Sequence, residues 1–500
     1  MMHGRSLWFG GMALAAMLVA GCGSDRAVQF PLDTLKGARS SDEQREVALG
    51  RLRESAKAND IAAQRVRTDL EGIVESREVV REARVAALTE LLSQTDAKAD
   101  VANARLAARV LAREEERQLV TMLADAAGER NWTIAVPGLI RSLGRPMRSD
   151  AAIAIRERPE ARALAALAQG RPLEELLFEQ FVTPSAGEAQ GAAAADLMRR
   201  VRVDAWDALS AMDASGEQRR AMLARDIDAK SVGAAAVTTL RRADRDLRVL
   251  AASGSEVAWL LSLRPDGADK NWWQQATAAV ARVPAGEAIS LRHVEALRWT
   301  AANAPDRLAQ SRGALVGELR ARVEPRRNVL RTWKSPIPPY NEQLRATEGR
   351  LSWADAITVL AIDDVVAAPH LRDALVPQAA ADRNDRMAEY GGELLVRAEK
   401  TGERVWPVLY PARAAQRLGD MRYVPSEDML ATAGTALAFY HFHAQERNNV
   451  ELAGPAEADV AYATQSRRAC VLFTSVGDGR FNVDFYGPDS LVIDLGTLPW

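Results

Sequence analysis

The sequence predicts a multidomain protein in which an all-α region is followed by an α+β domain whose mixed sheet is flanked by helices. From Ser40 to about Arg331, apolar residues recur at helical spacing with short polar breaks. After Glu389, short apolar and aromatic runs bounded by turn residues are typical of strands. Between them lies the proline-rich stretch "WKSPIPPYNEQ". Because proline fixes φ and lacks a backbone donor, residues 333–343 are predicted to form an extended connector and the main domain boundary.

The composition is that of a folded globular protein. Of the 500 residues, 48% are hydrophobic and 26% are charged, which excludes a mainly disordered chain. The length allows more than one hydrophobic core. The formal net charge of −2 gives no electrostatic reason to expect nucleic acid, so no nucleic-acid partner is predicted.

The helical region shows clear local signals but no recognisable catalytic set. Ser41, with Gln44 three residues later, predicts a capping box at the start of a helix. The stretch "IAVPGLIRSLGRP" places Leu139, Ile140 and Leu143 on one helix face and resembles the first helix of a HEAT repeat. No fixed repeat period is found, so a non-repeating helical domain remains an equal alternative. The predicted role of this region is a spacer or a binding surface.

The N-terminus has the pattern of an export signal. A basic start is followed by an apolar run, Leu7–Ala20, that is too short to span a membrane. The stretch "LVAGC" resembles the bacterial lipobox, which implies that Cys22 is lipidated and becomes the mature N-terminus. The protein is then expected in the bacterial cell envelope, anchored to a membrane by acyl chains. An ordinary export signal is the alternative, and Gly23 leaves inner and outer membrane open. With Cys22 acylated, only the thiol of Cys470 remains, so no disulfide is expected.

The C-terminal region contains several predicted strands. The stretch "GELLVRAEKTGERVWPVLYP" predicts a hairpin, and "RRACVLFTSVGDGRFNVDFYG" predicts two strands with Asp478 and Gly479 in the turn. The stretch "LVIDLG" predicts a last strand. Helices before and between these strands favour an α+β arrangement.

Two histidines stand at the end of the apolar run "TALAFYHFHA". In a strand, residues i and i+2 share a face, so His441 and His443 are predicted to point the same way while Phe442 points to the other side. Two neighbouring imidazoles can bind one cation. The competing interpretation is that the pair is incidental polar decoration of a strand end.

Residues on either side of the pair favour the metal interpretation. Glu389, Gly392 and Leu394 form the pattern E-x-x-G-x-L before the histidines, and Asp459 follows them in the predicted first turn of a helix. This order resembles the JAMM (JAB/MPN) metallopeptidase family, which has E-x-x-G-x-L, an apolar strand ending in H-x-H, and S-x-x-D. The resemblance covers roughly residues 366–500.

The resemblance implies a zinc site and a hydrolytic function. His441, His443 and Asp459 would be the zinc ligands, leaving a fourth position for water, and Glu389 would be the catalytic base. The expected protein is a membrane-anchored, exported, zinc-dependent hydrolase of peptide or isopeptide bonds. Its helical region would hold a protein or peptide partner or substrate. A peptide or a cell-wall amide is the expected target, and the oligomeric state stays open.

The chain departs from the family pattern at three points. Ala456 replaces the serine whose hydroxyl helps to stabilise an oxyanion. Ala444 replaces a proline that often follows the second histidine. Asp459 lies 16 positions after His443, and the polar insert "QERNNVEL" between them can loop out at little entropic cost. These departures keep two alternatives open. One is a lipoprotein scaffold whose JAMM-like domain is inactive, and the other is a pair of structural domains with an incidental histidine pair.

The predicted organisation follows from these signals. The parts are a lipoprotein signal peptide (1–21), a linker (22–39), a HEAT-like helical domain (40–332), a Pro-rich linker (333–343), a connecting helix (344–365) and a JAMM-like α+β domain (366–500).

Overall fold

The computed structural model describes residues 29–145, 153–331, 340–399, 402–477 and 480–499. The predicted export signal, the lipidation site Cys22 and the prolines of the predicted connector lie outside these residues, as do Asp478 and Gly479 of the predicted turn. Among the helices within the described ranges, none has the length and apolar character needed to cross a membrane.

The chain forms two compact units. One comprises Met1–Met222 with Lys230–Gly233, and the other comprises Leu223–Ala229 with Ala234–Trp500. The described end of the predicted connector, residues 340–343, lies inside the second unit. This unit contains both a series of helices and the sheet that follows them.

The described part of the first unit is helical, as the sequence predicts. Its helices are α1 (Pro31–Lys36), α2 (Asp42–Ala56), α3 (Asp60–Glu75), α4 (Arg81–Ser93), α5 (Ala97–Leu111), α6 (Arg117–Glu129), α7 (Val136–Gly144), α8 (Pro159–Leu167), α9 (Leu173–Val182), α10 (Gly191–Met212) and α11 (Glu217–Leu223).

Local chemistry explains where these helices begin. The predicted capping box is confirmed, because Ser41 Oγ accepts from the Gln44 N–H at 3.2 Å and Gln44 Oε1 accepts from the Ser41 N–H at 2.9 Å. The predicted inward face of α7 is also confirmed, since Leu139, Ile140 and Leu143 are fully or almost fully buried.

The second unit begins with helices and contains all six strands of the sheet. Its helices are α12 (Ala234–Leu247), α13 (Gly254–Ser262), α14 (Lys270–Val280), α15 (Val294–Asn303), α16 (Arg312–Val323), α17 (Leu344–Thr347), α18 (Trp353–Val366), α19 (Pro369–Asn384), α20 (Glu427–Thr432) and α21 (Glu457–Ser466). Its strands are β1 (Gly391–Glu399), β2 (Gly402–Leu409), β3 (Ala436–His443), β4 (Cys470–Ser475), β5 (Arg480–Gly487) and β6 (Leu491–Pro499).

The six strands form one mixed sheet in the order β2-β1-β3-β4-β5-β6. The β3–β4 pair is parallel, with α21 in the crossover, and the other neighbouring pairs are antiparallel. The two predicted hairpins and the predicted last strand are therefore confirmed. The architecture is all-α followed by α+β, with helices flanking a mixed sheet, as the sequence predicts.

The two faces of the sheet have different environments. One face presents Tyr440, Phe442 and Phe473 to a large apolar core that includes Trp299 of α15 and Ile357 of α18. The opposite face has a smaller apolar cluster, in which Val460 and Ala463 of α21 pack on Phe439, Cys470 and Leu472. By strand alternation, the two histidines of β3 share this second face.

The glycine of the E-x-x-G-x-L pattern is required by a close approach of two strands. Gly392 pairs with Leu409 of β2 and with Tyr440 of β3, and a Cβ atom on Gly392 would clash with the Val408 carbonyl group. Because the clash is with backbone, a side-chain rotation cannot relieve it.

We expect Gly392→Ala to lower the free energy of unfolding by about 1–3 kcal/mol, the usual cost of overpacking. Denaturant unfolding of the full chain measures it. The matched control is Gly317→Ala in α16, where a Cβ atom would meet nothing within 4 Å, and where alanine is expected to stabilise the helix by about 1 kcal/mol. Equal effects of the two substitutions would contradict the close-approach explanation.

Candidate metal site

Three chain segments bring the predicted site residues together. In the antiparallel β1–β3 pair, Gly391 lies opposite His441, so the residues just before β1 lie beside the end of β3. Glu389 is therefore held next to the histidine pair. Asp459 lies in the first turn of α21, where a carboxylate is favoured by the exposed N–H groups.

The four side chains converge around the two imidazole Nε2 atoms. His441 Nε2 lies 3.6 Å from Asp459 Oδ2, and His443 Nε2 lies 4.0 Å from the same oxygen and 3.8 Å from Glu389 Oε1. One ligand atom from each of Glu389, His441 and His443 lies within 4.8 Å of the other two. The structure thus places all four predicted residues in one cluster.

Hydrogen bonds orient both imidazole rings towards this point. His443 Nδ1 donates to the Leu452 carbonyl oxygen at 2.8 Å, which leaves Nε2 as the atom with the lone pair. His441 Nδ1 lies 3.1 Å from the Tyr486 hydroxyl, and the ring of Tyr423 stacks on the His441 ring with centroids 5.3 Å apart. His441 Nε2 is buried and has no hydrogen-bond partner among the described residues.

These distances fit a metal ion better than a set of direct hydrogen bonds. Two ligand atoms bound to a tetrahedral zinc lie about 3.3 Å apart, whereas a hydrogen bond normally needs 3.2 Å or less. The buried Glu389-His441-His443 group could therefore hold a metal ion, and the orphaned Nε2 of His441 would gain a partner. The distances allow either Glu389 or Asp459 to supply the carboxylate ligand.

The electrostatics of the site favour positive charge between the carboxylates. Burial raises the pKa of Glu389 to about 8, and burial together with the neighbouring His441 lowers the pKa of His443 to about 4. Burial alone would lower the pKa of His441, but the Asp459 carboxylate and other acids raise it overall. Conversely, burial alone would raise the pKa of Asp459, and the two histidines hold it below its usual value.

The insert between His443 and Asp459 contacts the site residues and supports them. Leu452 orients the His443 ring, and Gln445 Nε2 donates to Glu389 Oε1 at 3.0 Å. Asn449 Nδ2 donates to the His443 carbonyl at 3.0 Å and to Gln445 Oε1 at 3.2 Å. These polar contacts depend on how the insert folds back, and no spacing in the sequence indicates them.

A cavity of about 270 Å³ adjoins the four side chains. Tyr423 lines this cavity, and α21 contributes Tyr462. Arg331 and Arg422 also line it. None of these four residues was predicted from the sequence, because they come from separate segments with no common spacing.

Ala456, which stands where the resembled pattern has serine, still contributes to the site. The Ala456 N–H donates to Asp459 Oδ2 at 2.7 Å, so residue 456 still positions the carboxylate although it offers no hydroxyl to the cavity.

The remaining histidines in the described part of the chain are structural. His293 lies 3.0 Å from Asp355 Oδ1 through Nε2, and His370 bonds to the Val405 carbonyl.

Fold and site together define a protein with a helical N-terminal region and a C-terminal mixed-sheet domain that contains a buried Glu-His-His group able to hold a metal ion. No family model, no curated protein and no solved structure matches the chain.

Proposed function

We propose that the protein is an exported, zinc-dependent hydrolase of peptide or isopeptide bonds with a JAMM-like domain at residues 366–500. The observation that supports this most strongly is the convergence of two imidazole Nε2 atoms and two carboxylates at a buried point beside a cavity. In this proposal His441, His443 and Asp459 are the zinc ligands and Glu389 is the catalytic base.

The chain's own residues suit these roles. Zinc held by two imidazoles and one carboxylate would supply a Lewis acid that can activate water and polarise a carbonyl group. Glu389 would accept the proton of the attacking water and deliver it to the leaving amine. Gln445 donates to Glu389 Oε1, the oxygen that lies 3.8 Å from His443 Nε2, and so holds this carboxylate towards the histidines. Leu452 holds the His443 ring in the tautomer that a metal needs.

The proposed location follows from the N-terminal sequence. Lipidation at Cys22 would anchor the protein to a membrane of the bacterial cell envelope after export. The helical region would act as a spacer or as the surface that binds a protein or peptide partner. Targets outside the cytoplasm include peptides and cell-wall amides.

A second candidate is a lipoprotein scaffold whose JAMM-like domain has lost catalysis. Ala456 is the observation that favours it, because removal of one oxyanion donor typically costs about 100- to 1,000-fold in rate. The scaffold would keep its fold and partner binding and would show no hydrolysis.

Metal removal and restoration test the proposal on the full chain in detergent. We expect about one zinc ion per chain by mass spectrometry, and hydrolysis within a panel of peptides, isopeptides and cell-wall peptides. A chelator should abolish hydrolysis, and zinc, but not magnesium, should restore it, because imidazole ligands suit zinc. A chain that contains no zinc and does not respond to added zinc would overturn the proposal.

A further inference from the structure

The cavity beside the proposed zinc site is lined by charged side chains of both signs. Among the described residues that line it, the acidic side chains are Glu389 and Asp459 and the basic side chains are Arg331 and Arg422. Both acidic groups face the imidazole Nε2 atoms. A divalent cation at that point would balance these two acids.

With the cation in place, the two arginines give the cavity wall a net positive charge. They would make its wall attractive to an anionic group on the substrate. The remaining lining is largely apolar or aromatic and includes Tyr423, Tyr462 and Leu452. A ligand that fits this wall combines a group for the metal, an anionic group and an apolar body.

Of the two arginines, Arg331 is the better positioned. Its Nη1 atom donates to the Gly454 carbonyl oxygen at 2.8 Å. This bond holds the guanidinium beside the segment whose Leu452 carbonyl orients the His443 ring. Arg331 is half-buried, whereas Arg422 is exposed at the rim. A guanidinium fork matches a carboxylate in a bidentate manner.

We propose that Arg331 binds the free C-terminal carboxylate of the substrate, so that the enzyme removes C-terminal residues and prefers an apolar or aromatic one. This inference rests on the proposed hydrolase. In the reaction, one water molecule adds across the terminal amide bond. The C–N bond breaks, the acyl carbon becomes a carboxylate, and the released amino acid takes the proton at its amine.

Binding of two small acids to the zinc-loaded full chain tests the role of Arg331. The first probe is 2-benzylsuccinate, which has one carboxylate for the metal, a second for Arg331 and an aromatic ring for the cavity. The second is 3-phenylpropionate, which lacks the second carboxylate. We expect Arg331→Gln to weaken the binding of 2-benzylsuccinate by about 10- to 100-fold, the usual effect of losing a charge-assisted pair. The binding of 3-phenylpropionate should not change. Calorimetry measures both affinities.

Two further variants define the outcome. Arg331→Lys should weaken the binding of 2-benzylsuccinate less than Arg331→Gln does, because the charge remains and only the bidentate geometry of the guanidinium is lost. Arg345→Gln, at an exposed arginine outside the cavity, should bind both probes as the unaltered chain does. Zinc content, measured on every sample, separates the two proposals. Unchanged benzylsuccinate binding by zinc-loaded Arg331→Gln would overturn the carboxylate role alone, and a chain that binds no zinc would overturn both.

Discussion

Replacement of Glu389 by glutamine is expected to lower the rate of hydrolysis by about 100- to 10,000-fold, the usual contribution of general acid–base catalysis. Glutamine keeps the size and shape of the side chain, but its amide cannot accept the proton of the attacking water. If Asp459 is the third ligand, zinc remains bound in this variant. The measurements are the turnover of the best peptide substrate and the zinc content of the same sample.

A nearby glutamate provides the matched control. Glu446 lies on the insert between His443 and Asp459. Its side chain is largely exposed and pairs with Arg386. Glu446→Gln is expected to keep both hydrolysis and zinc. If Glu389→Gln keeps full activity, Glu389 is not the base, and if it loses zinc together with activity, Glu389 is a ligand. A protein with no hydrolysis in any variant but with intact partner binding would favour the scaffold.

Replacement of either site histidine by alanine is expected to weaken zinc binding by more than about 100-fold, because even the loss of an outer hydrogen bond to a metal ligand costs 10- to 100-fold. In His441→Ala, Asp459 and Glu389 also lose the imidazole that faces them, so the metal-free site keeps two poorly balanced acids. Calorimetric titration with zinc measures the affinity directly.

Thermal unfolding supplies an independent measurement. Zinc that binds the folded chain raises its melting temperature by mass action. The unaltered chain should show this shift, and His441→Ala and His443→Ala should not. His370→Ala is the matched control, since His370 bonds to the Val405 carbonyl away from the cluster and should leave the shift intact. Undiminished zinc binding by both site variants would show that the histidine pair is not a metal site.

Much of the fold and part of the site could be predicted from local patterns. Strand alternation placed His441 and His443 on one face, and the position of Asp459 in a helix start followed from its neighbours. Gly392 and the hairpins were likewise visible as short-range signals. Each of these depends on chemistry within a few residues, such as side-chain alternation, capping and turn preference, which a single sequence displays directly.

Other features depend on pairings between distant residues. The β1–β3 register brings Glu389 to the histidines, and the folded insert brings Gln445 to Glu389 across 56 positions. Arg331 reaches the cavity although it lies far from the motif residues in the chain. Helices before residue 333 also pack on the sheet, so Trp299 joins the same core as Phe442.

The division between these two groups has a physical reason. Local backbone preferences and one-sided hydrophobic patterns are properties of a segment, so residue order alone specifies the helices, the strands and the direction of each candidate ligand. The meeting of those ligands is a property of long-range packing, in which burial and sheet pairing select one arrangement of segments from many. In this protein, residue order therefore specified the ligand types, and the folded chain specified the buried point where they converge and the arginine beside it.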